Sequence, residues 1–378
     1  MDFYSFFTPI SASVYSQVYT YLVMALCMLV VFQRINAEEN ELIYARHSFP
    51  LPAIVLTLLI AIPIGFRNPL GLFGDTYFYT HSFSNVLKEY SPIDWSTEWL
   101  FDNWMFFFKD HGLEIQYFYL SVSLVYFGTM LVSCYKLAKN NTWIALLFCL
   151  VSYSCYSYST NGVRNGLACN LVMLGIVYLT ETDWKKYISL IFFVIAYGIH
   201  HSSALPAVAA LTAAFIIKEP KYAIQFWVAS IFISLLLGNT IGDIFASLGF
   251  DDRMSGYFQG QQDSQEMSRF TDTGFRFDFL LYSAMPVLMA WYVTVKRNFR
   301  DQTFNIIANT YILANAFWVM VIRASYSNRF AYLSWFIYPL VIAYPLLRMN
   351  IWEDQDRKTA QILLAYSGFT FFMFLIGK

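Results

Sequence analysis

Charge is what this sequence has least of. Only 13% of its side chains are Asp, Glu, Lys or Arg, and its formal net charge is −1. A soluble domain carries about 25% charged residues. Half that share, with 58% hydrophobic side chains over 378 residues, excludes an ordinary soluble domain and points to a polytopic membrane protein. A near-neutral chain also lacks the basic face that nucleic acid requires, so no nucleic-acid partner is expected. Cysteine is scarce. Cys27, Cys134, Cys149, Cys155 and Cys169 all lie within or at the ends of apolar runs, as small packing residues do, which argues against a disulfide framework. No His, Cys, Asp and Glu grouping has metal-ligand spacing, and Asp251-Asp252 is too slight a signal for a metal pair. Neither a metal nor another cofactor is expected. The stretch from Met1 to Ser13 lacks the basic region of a cleavable signal peptide, so the first apolar segment is expected to be retained.

Long apolar runs are what the chain has in abundance. A spanning helix needs about 20 mostly apolar residues. By that measure the expected class is all-α, with about twelve transmembrane helices near 14–33, 50–67, 115–135, 142–158, 162–180, 186–201, 203–217, 222–240, 277–295, 304–322, 330–347 and 360–377. The segments at 186–201 and 203–217 are short and meet at His200-His201-Ser202, as two tilted spans or a re-entrant hairpin would.

Basic residues orient the chain. The connections carrying Arg34/Arg46, Lys136/Lys139, Lys185/Lys186, Lys218/Lys221, Lys296/Arg297/Arg300 and Arg348/Arg357/Lys358 alternate with the others and hold fourteen of the 24 basic side chains. The positive-inside rule assigns them to the cytoplasm, and their even spacing favours two real spans over a hairpin. Both termini then lie outside. Two outer connections are long. The first, residues 68–114, carries Trp95, Trp99 and Trp104 and reads as a periplasmic loop with a helix lying on the membrane. The second, 241–276, is polar and glutamine-rich. Loops of that length are usually functional or disordered. The whole chain, 1–378, reads as one transmembrane domain.

Against this topology, seven of the thirteen arginines stand on the outer side with only three of the eleven lysines. They are Arg67, Arg164, Arg253, Arg269, Arg276, Arg323 and Arg329. The guanidinium fork is the side chain that best matches phosphate oxygens, so the asymmetry points to a phosphate-bearing lipid head. Ser159-Thr160-Asn161-Gly162 precedes an apolar run as helix N-cap residues do. Arg164 would then add a full charge to an outward-facing helix N-terminus. An ordinary cap with a snorkelling arginine fits the same residues. Arg67 ends the second apolar run and is followed by Gly74-Asp75-Thr76-Tyr77-Phe78-Tyr79. There Asp75 either orients Arg67, accepts a proton, or bonds its own turn. Arg323 and Arg329 bracket a turn containing Tyr326 and no acid, and such a pair is costly without partners from elsewhere. His200 and His201 end the sixth segment, where imidazole titrates near neutral pH and accepts protons. Outer tryptophans and tyrosines suit stacking on sugars or an interfacial aromatic belt.

Taken together these positions resemble the EpsG-like branch of the Wzy polysaccharide polymerases. The family's arginine at a span end followed by Gly-Asp with Thr and Tyr is matched by Arg67, Gly74, Asp75, Thr76 and Tyr79. Its Asn-x-x-Arg-Gln-Gly-x-Ala is matched by Asn161, Arg164, Gly166 and Ala168, with Asn165 in place of the glutamine. Its helix-end His-x-Ser-Ala-Leu is matched by His201, Ser203, Ala204 and Leu205. Its basic and aromatic turn before a late span is matched by Arg323, Tyr326 and Arg329. Order and spacing cover roughly residues 60 to 340.

The resemblance implies a bacterial inner-membrane glycosyltransferase of GT-C-like architecture whose site faces the periplasm or cell exterior. Such an enzyme moves a growing glycan from undecaprenyl pyrophosphate to the non-reducing end of a lipid-linked repeat unit, in making O-antigen, capsule or exopolysaccharide. Its implied partners are undecaprenyl-pyrophosphate-linked oligosaccharide and the bilayer, and it admits a chain-length regulator. The implied roles are charge stabilisation by Arg164, Arg323, Arg329 and Arg67, proton abstraction by His201 or Asp75, and substrate contacts by Thr76, Tyr79, Asn161 and Tyr326. An O-antigen ligase-type transferase would need the same donor site. A transporter or flippase of lipid-linked oligosaccharide would need polar residues at mid-membrane and related halves, and neither is evident.

Overall fold

The computed structural model describes residues 3–37, 41–44, 49–71, 73–247, 275–323 and 327–376, and its regular structure is entirely helical. The helices are α1 (Ala12–Arg34), α2 (Glu41–Tyr44), α3 (Leu51–Gly65), α4 (Thr76–His81), α5 (Trp99–Asp110), α6 (Ile115–Ala138), α7 (Thr142–Leu150) and α8 (Cys155–Thr160). After them come α9 (Val163–Leu179), α10 (Ile188–Ile199), α11 (Ala204–Phe215), α12 (Pro220–Ser247), α13 (Phe277–Ala290), α14 (Gln302–Met320), α15 (Ser327–Trp335), α16 (Tyr338–Arg348) and α17 (Gln355–Ile376). Local chemistry sets several starts. The Ser11 hydroxyl accepts the Val14 N–H at the head of α1, and Asp301 accepts the Phe304 N–H at the head of α14 at 2.8 Å.

Six of the expected segments form stretches long and apolar enough to cross a membrane among the described residues: Ala12–Arg34, Ile115–Leu150, Pro220–Leu237, Phe277–Lys296, Arg329–Arg348 and Gln355–Ile376. The protein is an all-α membrane protein. The other expected segments are shorter or interrupted, except that at 304–322, which forms the continuous 19-residue α14 and is less apolar because it carries Asn305, Asn309 and Asn315. The segment predicted at 142–158 ends at Leu150, turns through Ser152–Ser154 and resumes as the six-residue α8. The helices α10 and α11 have 12 residues each, about 18 Å at 1.5 Å per residue, well short of a bilayer core of about 30 Å. At the second long connection α12 continues to Ser247. The remainder of that connection, with Arg253 and Arg269, lies outside the described residues, as does Tyr326.

Burial separates a centre from a periphery. The stretch Arg329–Arg348 is 94% enclosed by protein, whereas Pro220–Leu237 and Gln355–Ile376 are each 28% enclosed. Helices α9 and α16 are buried along nearly their whole length. Surrounded by protein, such helices need not match the bilayer thickness, because neighbours take up the groups that lipid cannot satisfy. The helix α9 packs against α6 and α10, α14 against α11 and α12, α3 against α6, and α1 against α17. Contact between α9 and α10 is close at Gly175, where a Cβ would stand 2.5 Å from the Phe193 ring.

Connections predicted to share the cytoplasmic side meet at one end of the bundle. Asn141 Nδ2 donates to the Leu42 and Leu347 carbonyls at 2.7 and 3.2 Å, the Leu42 N–H donates to Asp356 Oδ1 at 3.2 Å, and Arg34 pairs with Asp356 and Glu41. Gln355 Nε2 closes the group onto the Pro345 and Leu346 carbonyls. The candidate site residues gather at the far ends of these helices.

Candidate active site

Asn161 joins two helix starts. Its side-chain oxygen accepts the Asp75 N–H at the head of α4 and the Gly162 N–H at the head of α9, each at 3.0 Å. The backbone around Gly74 must come very close for this. Gly74 has φ +62°, and a Cβ there would lie 2.3 Å from Asn161 Oδ1. Only glycine meets both demands. The two motifs in which these residues lie are 86 positions apart and fold directly onto one another.

Beneath this junction Arg67 is enclosed, with 1% of its surface exposed. Its Nη1 donates to the Ile64 carbonyl at 2.8 Å and its Nη2 to Thr76 Oγ1 at 2.9 Å, with the guanidinium 4.6 Å from the Tyr119 ring centre. Thr76 Oγ1 in turn donates to the Thr160 carbonyl at 2.8 Å, and Tyr119 OH donates to the Thr76 carbonyl at 2.8 Å. Arg67 and Thr76 therefore hold α4 against the end of α8 and face protein rather than the outer surface. Asp75 makes no side-chain cap bond, and its half-exposed carboxylate takes no part in the bonds of Arg67.

Arg164, on the first turn of α9, does reach the surface of the site. Its Nε donates to Tyr79 OH at 3.0 Å, its Nη1 pairs with Glu98 Oε2, and its guanidinium lies over the rings of Tyr79 and Phe101 at 5.1 and 5.7 Å. Glu98, just ahead of α5, uses its other oxygen for His200 Nδ1. Burial raises the Glu98 pKa, but the hydrogen bond and charge of His200, with the charges of Arg164 and His201, outweigh it and hold the carboxyl below its ordinary value. Asp102 sits one turn further along α5. Burial pushes its pKa up, opposed by Arg164 and reinforced by Glu98. One arginine, one histidine and two carboxyls of opposite tendency thus act on one another around Glu98, an arrangement that can hold both charge and protons.

His201 faces elsewhere. Its Nε2 meets the Thr97 carbonyl at 3.0 Å, and its ring stacks on Tyr197 with centroids 4.7 Å apart. Tyr197 also stacks on Trp95 at 6.3 Å. Arg323 Nε is buried and has no hydrogen-bond partner among the described residues. Arg329, on α15, lies within electrostatic reach of the Tyr158 hydroxyl, as does Asp75. Tyr158 itself is stacked flat on Tyr332 at 3.4 Å. Arg276 is held bidentately by Asp278 at 3.0 and 2.7 Å. Among the described residues no three His, Cys, Asp or Glu side chains converge as metal ligands would.

The profile of the EpsG family matches residues 51–378. The chain belongs to the EpsG family. Neither the curated proteins nor the solved structures yield a match. Family membership and the membrane-crossing helices together make this a membrane protein of polysaccharide biosynthesis.

Within this EpsG-family chain the structure brings Asp75, Thr76, Tyr79, Asn161 and Arg164 into one cluster, with Arg67 below it and Arg329 at its edge. Sequence reasoning misses Glu98, Asp102 and the part played by His200. The only available signal is the i, i+4 spacing of two acids at the start of an amphipathic stretch, which places both on one helix face but names no partner.

Proposed function

We propose that this EpsG-family protein is a polysaccharide polymerase. In this reading it transfers a growing glycan from undecaprenyl pyrophosphate to the non-reducing end of a lipid-linked repeat unit, at the outer face of the bacterial inner membrane, within a GT-C-like architecture. One observation carries the reading: the guanidinium of Arg164 stands at the meeting point of two family-like motifs, beside acid–base groups, at a single end of a membrane bundle. A lipid pyrophosphate is a good leaving group. The protein's work is therefore to hold departing charge, to orient two large substrates and to accept one proton.

Arg164 is the main phosphate contact in this scheme, with Arg323 and Arg329 as further cations. Arg67 acts from below, keeping Thr76 and the Asn161 junction in place. The half-exposed Tyr79 and the exposed Asn161 border the donor in this scheme, and Tyr326 stands between the two later arginines in the sequence. His201, which the resemblance singles out, and Asp75 lie at the same end of the bundle as Arg164.

The test is incubation of purified protein with synthetic lipid-linked repeat units, with products resolved on a gel. A ladder of lengths supports polymerisation. A single product that requires a different acceptor identifies a ligase-type transferase, and movement of intact lipid-linked oligosaccharide across a vesicle without a new bond identifies a transporter.

A further inference from the structure

Resting on that reading of the site as a place of glycosyl transfer, we propose that His200 is the base that takes the acceptor's proton, and that Glu98 is the residue that positions it. His200 follows the last turn of α10 in extended conformation, φ −156° and ψ 116°, so its side chain leaves the helix toward the connection that carries Glu98. The Glu98 carboxylate accepts at Oε1 from His200 Nδ1. An ionised carboxylate has no proton to give, so Nδ1 carries the hydrogen and Nε2 is left with its lone pair. A carboxylate behind one imidazole nitrogen fixes the tautomer and stabilises the imidazolium formed when the other nitrogen takes a proton.

No other candidate among the described residues at this end has that arrangement. His201 places Nε2 on a neutral backbone carbonyl, which orients the ring but supplies no counter-charge. The Asp75 carboxylate does not cap its own helix, so no bond of that kind aims it. Glu98 Oε2 also holds Arg164. One carboxylate therefore ties the base to the arginine assigned to the leaving group, which places the two ends of the reaction side by side.

The step balances without a further reactant. The acceptor hydroxyl oxygen forms a bond to the anomeric carbon of the donor's first sugar. The bond from that carbon to the phosphate oxygen breaks, and its electron pair leaves with the lipid pyrophosphate beside Arg164. The hydroxyl proton passes to His200 Nε2 and then to water.

His200 is paired with Glu98, and the charged groups around that carboxylate are Arg164 from α9 and the neighbouring His201; Asp102 acts through Glu98 and Arg164, Tyr79 bonds Arg164, and Asp94 lies within electrostatic reach of His201. The experiment is turnover of synthetic lipid-linked repeat units by the full chain in nanodiscs, measured against pH. With wild-type protein the rate should rise with pH and level off once the base is unprotonated. His200→Gln should lower turnover by roughly 10²–10⁴, flatten that rise and leave donor binding within a few fold. Glu98→Gln keeps the size of the side chain. It should lower turnover and move the rise to more acid pH, because the imidazolium loses its counter-charge; Glu98→Asp should recover part of the rate. A Glu98→Gln variant that melts earlier but keeps the wild-type pH profile overturns the positioning role. His111→Ala, on the same side but outside the cluster, should behave as wild type. A wild-type ladder that survives His200→Gln within a few fold overturns the base assignment alone. Absence of any transfer by wild type, with lipid shown to be intact, overturns the polymerase reading and the base with it.

Discussion

Arg67 donates to Thr76 Oγ1 at 2.9 Å while 1% of its surface is exposed. An arginine whose place in the sequence suggests a phosphate ligand is thus a buried tie between helix ends. Each of its two hydrogen bonds from a charged donor contributes about 1.5 kcal/mol or more. Arg67→Ala should therefore destabilise the protein by roughly 3 kcal/mol, read as earlier unfolding in detergent and a lower level in the membrane. A variant that keeps wild-type melting yet loses activity would return Arg67 to the substrate.

Gly74→Ala should weaken the junction with Asn161. The left-handed backbone alone costs about 1–2 kcal/mol for a residue with a Cβ, and a Cβ would in addition stand 2.3 Å from Asn161 Oδ1. The second part disappears in Gly74→Ala/Asn161→Ala, so the double variant should melt closer to Asn161→Ala than additivity allows. Strict additivity of the melting shifts would show that the two side chains do not press on each other.

Arg164→Ala should lower polymer synthesis by about 10²–10³ at unchanged protein level. Arg164→Lys should not restore it, because a single ammonium cannot reach Tyr79 OH and Glu98 together in the planar arrangement of the guanidinium. Full-length polymer from the lysine variant would rule out recognition by the fork.

Glu98 makes stability depend on acid. Its folded pKa lies below the ordinary 4.5, so the unfolded chain binds more protons between the two values and stability rises with pH there. The contribution is present above 4.5 and fades as pH falls through the lower folded value. Melting temperature against pH should show this slope in wild type and lack it in Glu98→Gln.

Asp102 works in the opposite sense. Its folded pKa lies above the ordinary 3.8, so its contribution is complete below that value and declines as pH rises through the folded one. Asp102→Asn should melt higher than wild type near neutral pH and not at strongly acid pH. Equal gains at both pH values would mean that ionisation is not the cause.

Much of the membrane character is legible in the order of amino acids alone. Apolar length identifies helices such as α1, α6 and α17 because hydrophobicity is a local property, and the order of the family-like motifs survives in the chain as spacing. The breaks are less legible. The segment through Ser152 and Ser154 is apolar enough to read as one helix, and α10 and α11 are cut short at the turn through His200–Ser203, which apolar content does not mark.

By itself the sequence determined the class of protein, the alternation of basic connections, and the family-like motifs that carry Arg67, Arg164, Asn161 and Gly74. Those follow from composition and spacing, which the chain carries at every point. Only the tertiary structure decided what the arginines do. It closed Arg67 into the protein, left Arg276 on Asp278, and gave Arg164 to a carboxylate that also holds His200, a pairing of residues 102 positions apart. Such a pairing depends on where α5, α9 and α10 pack, and burial then sets Glu98 and Asp102 on opposite sides of their ordinary acidity. A charge pattern says that this sequence gathers arginines between its apolar segments; packing says which partner each described one takes.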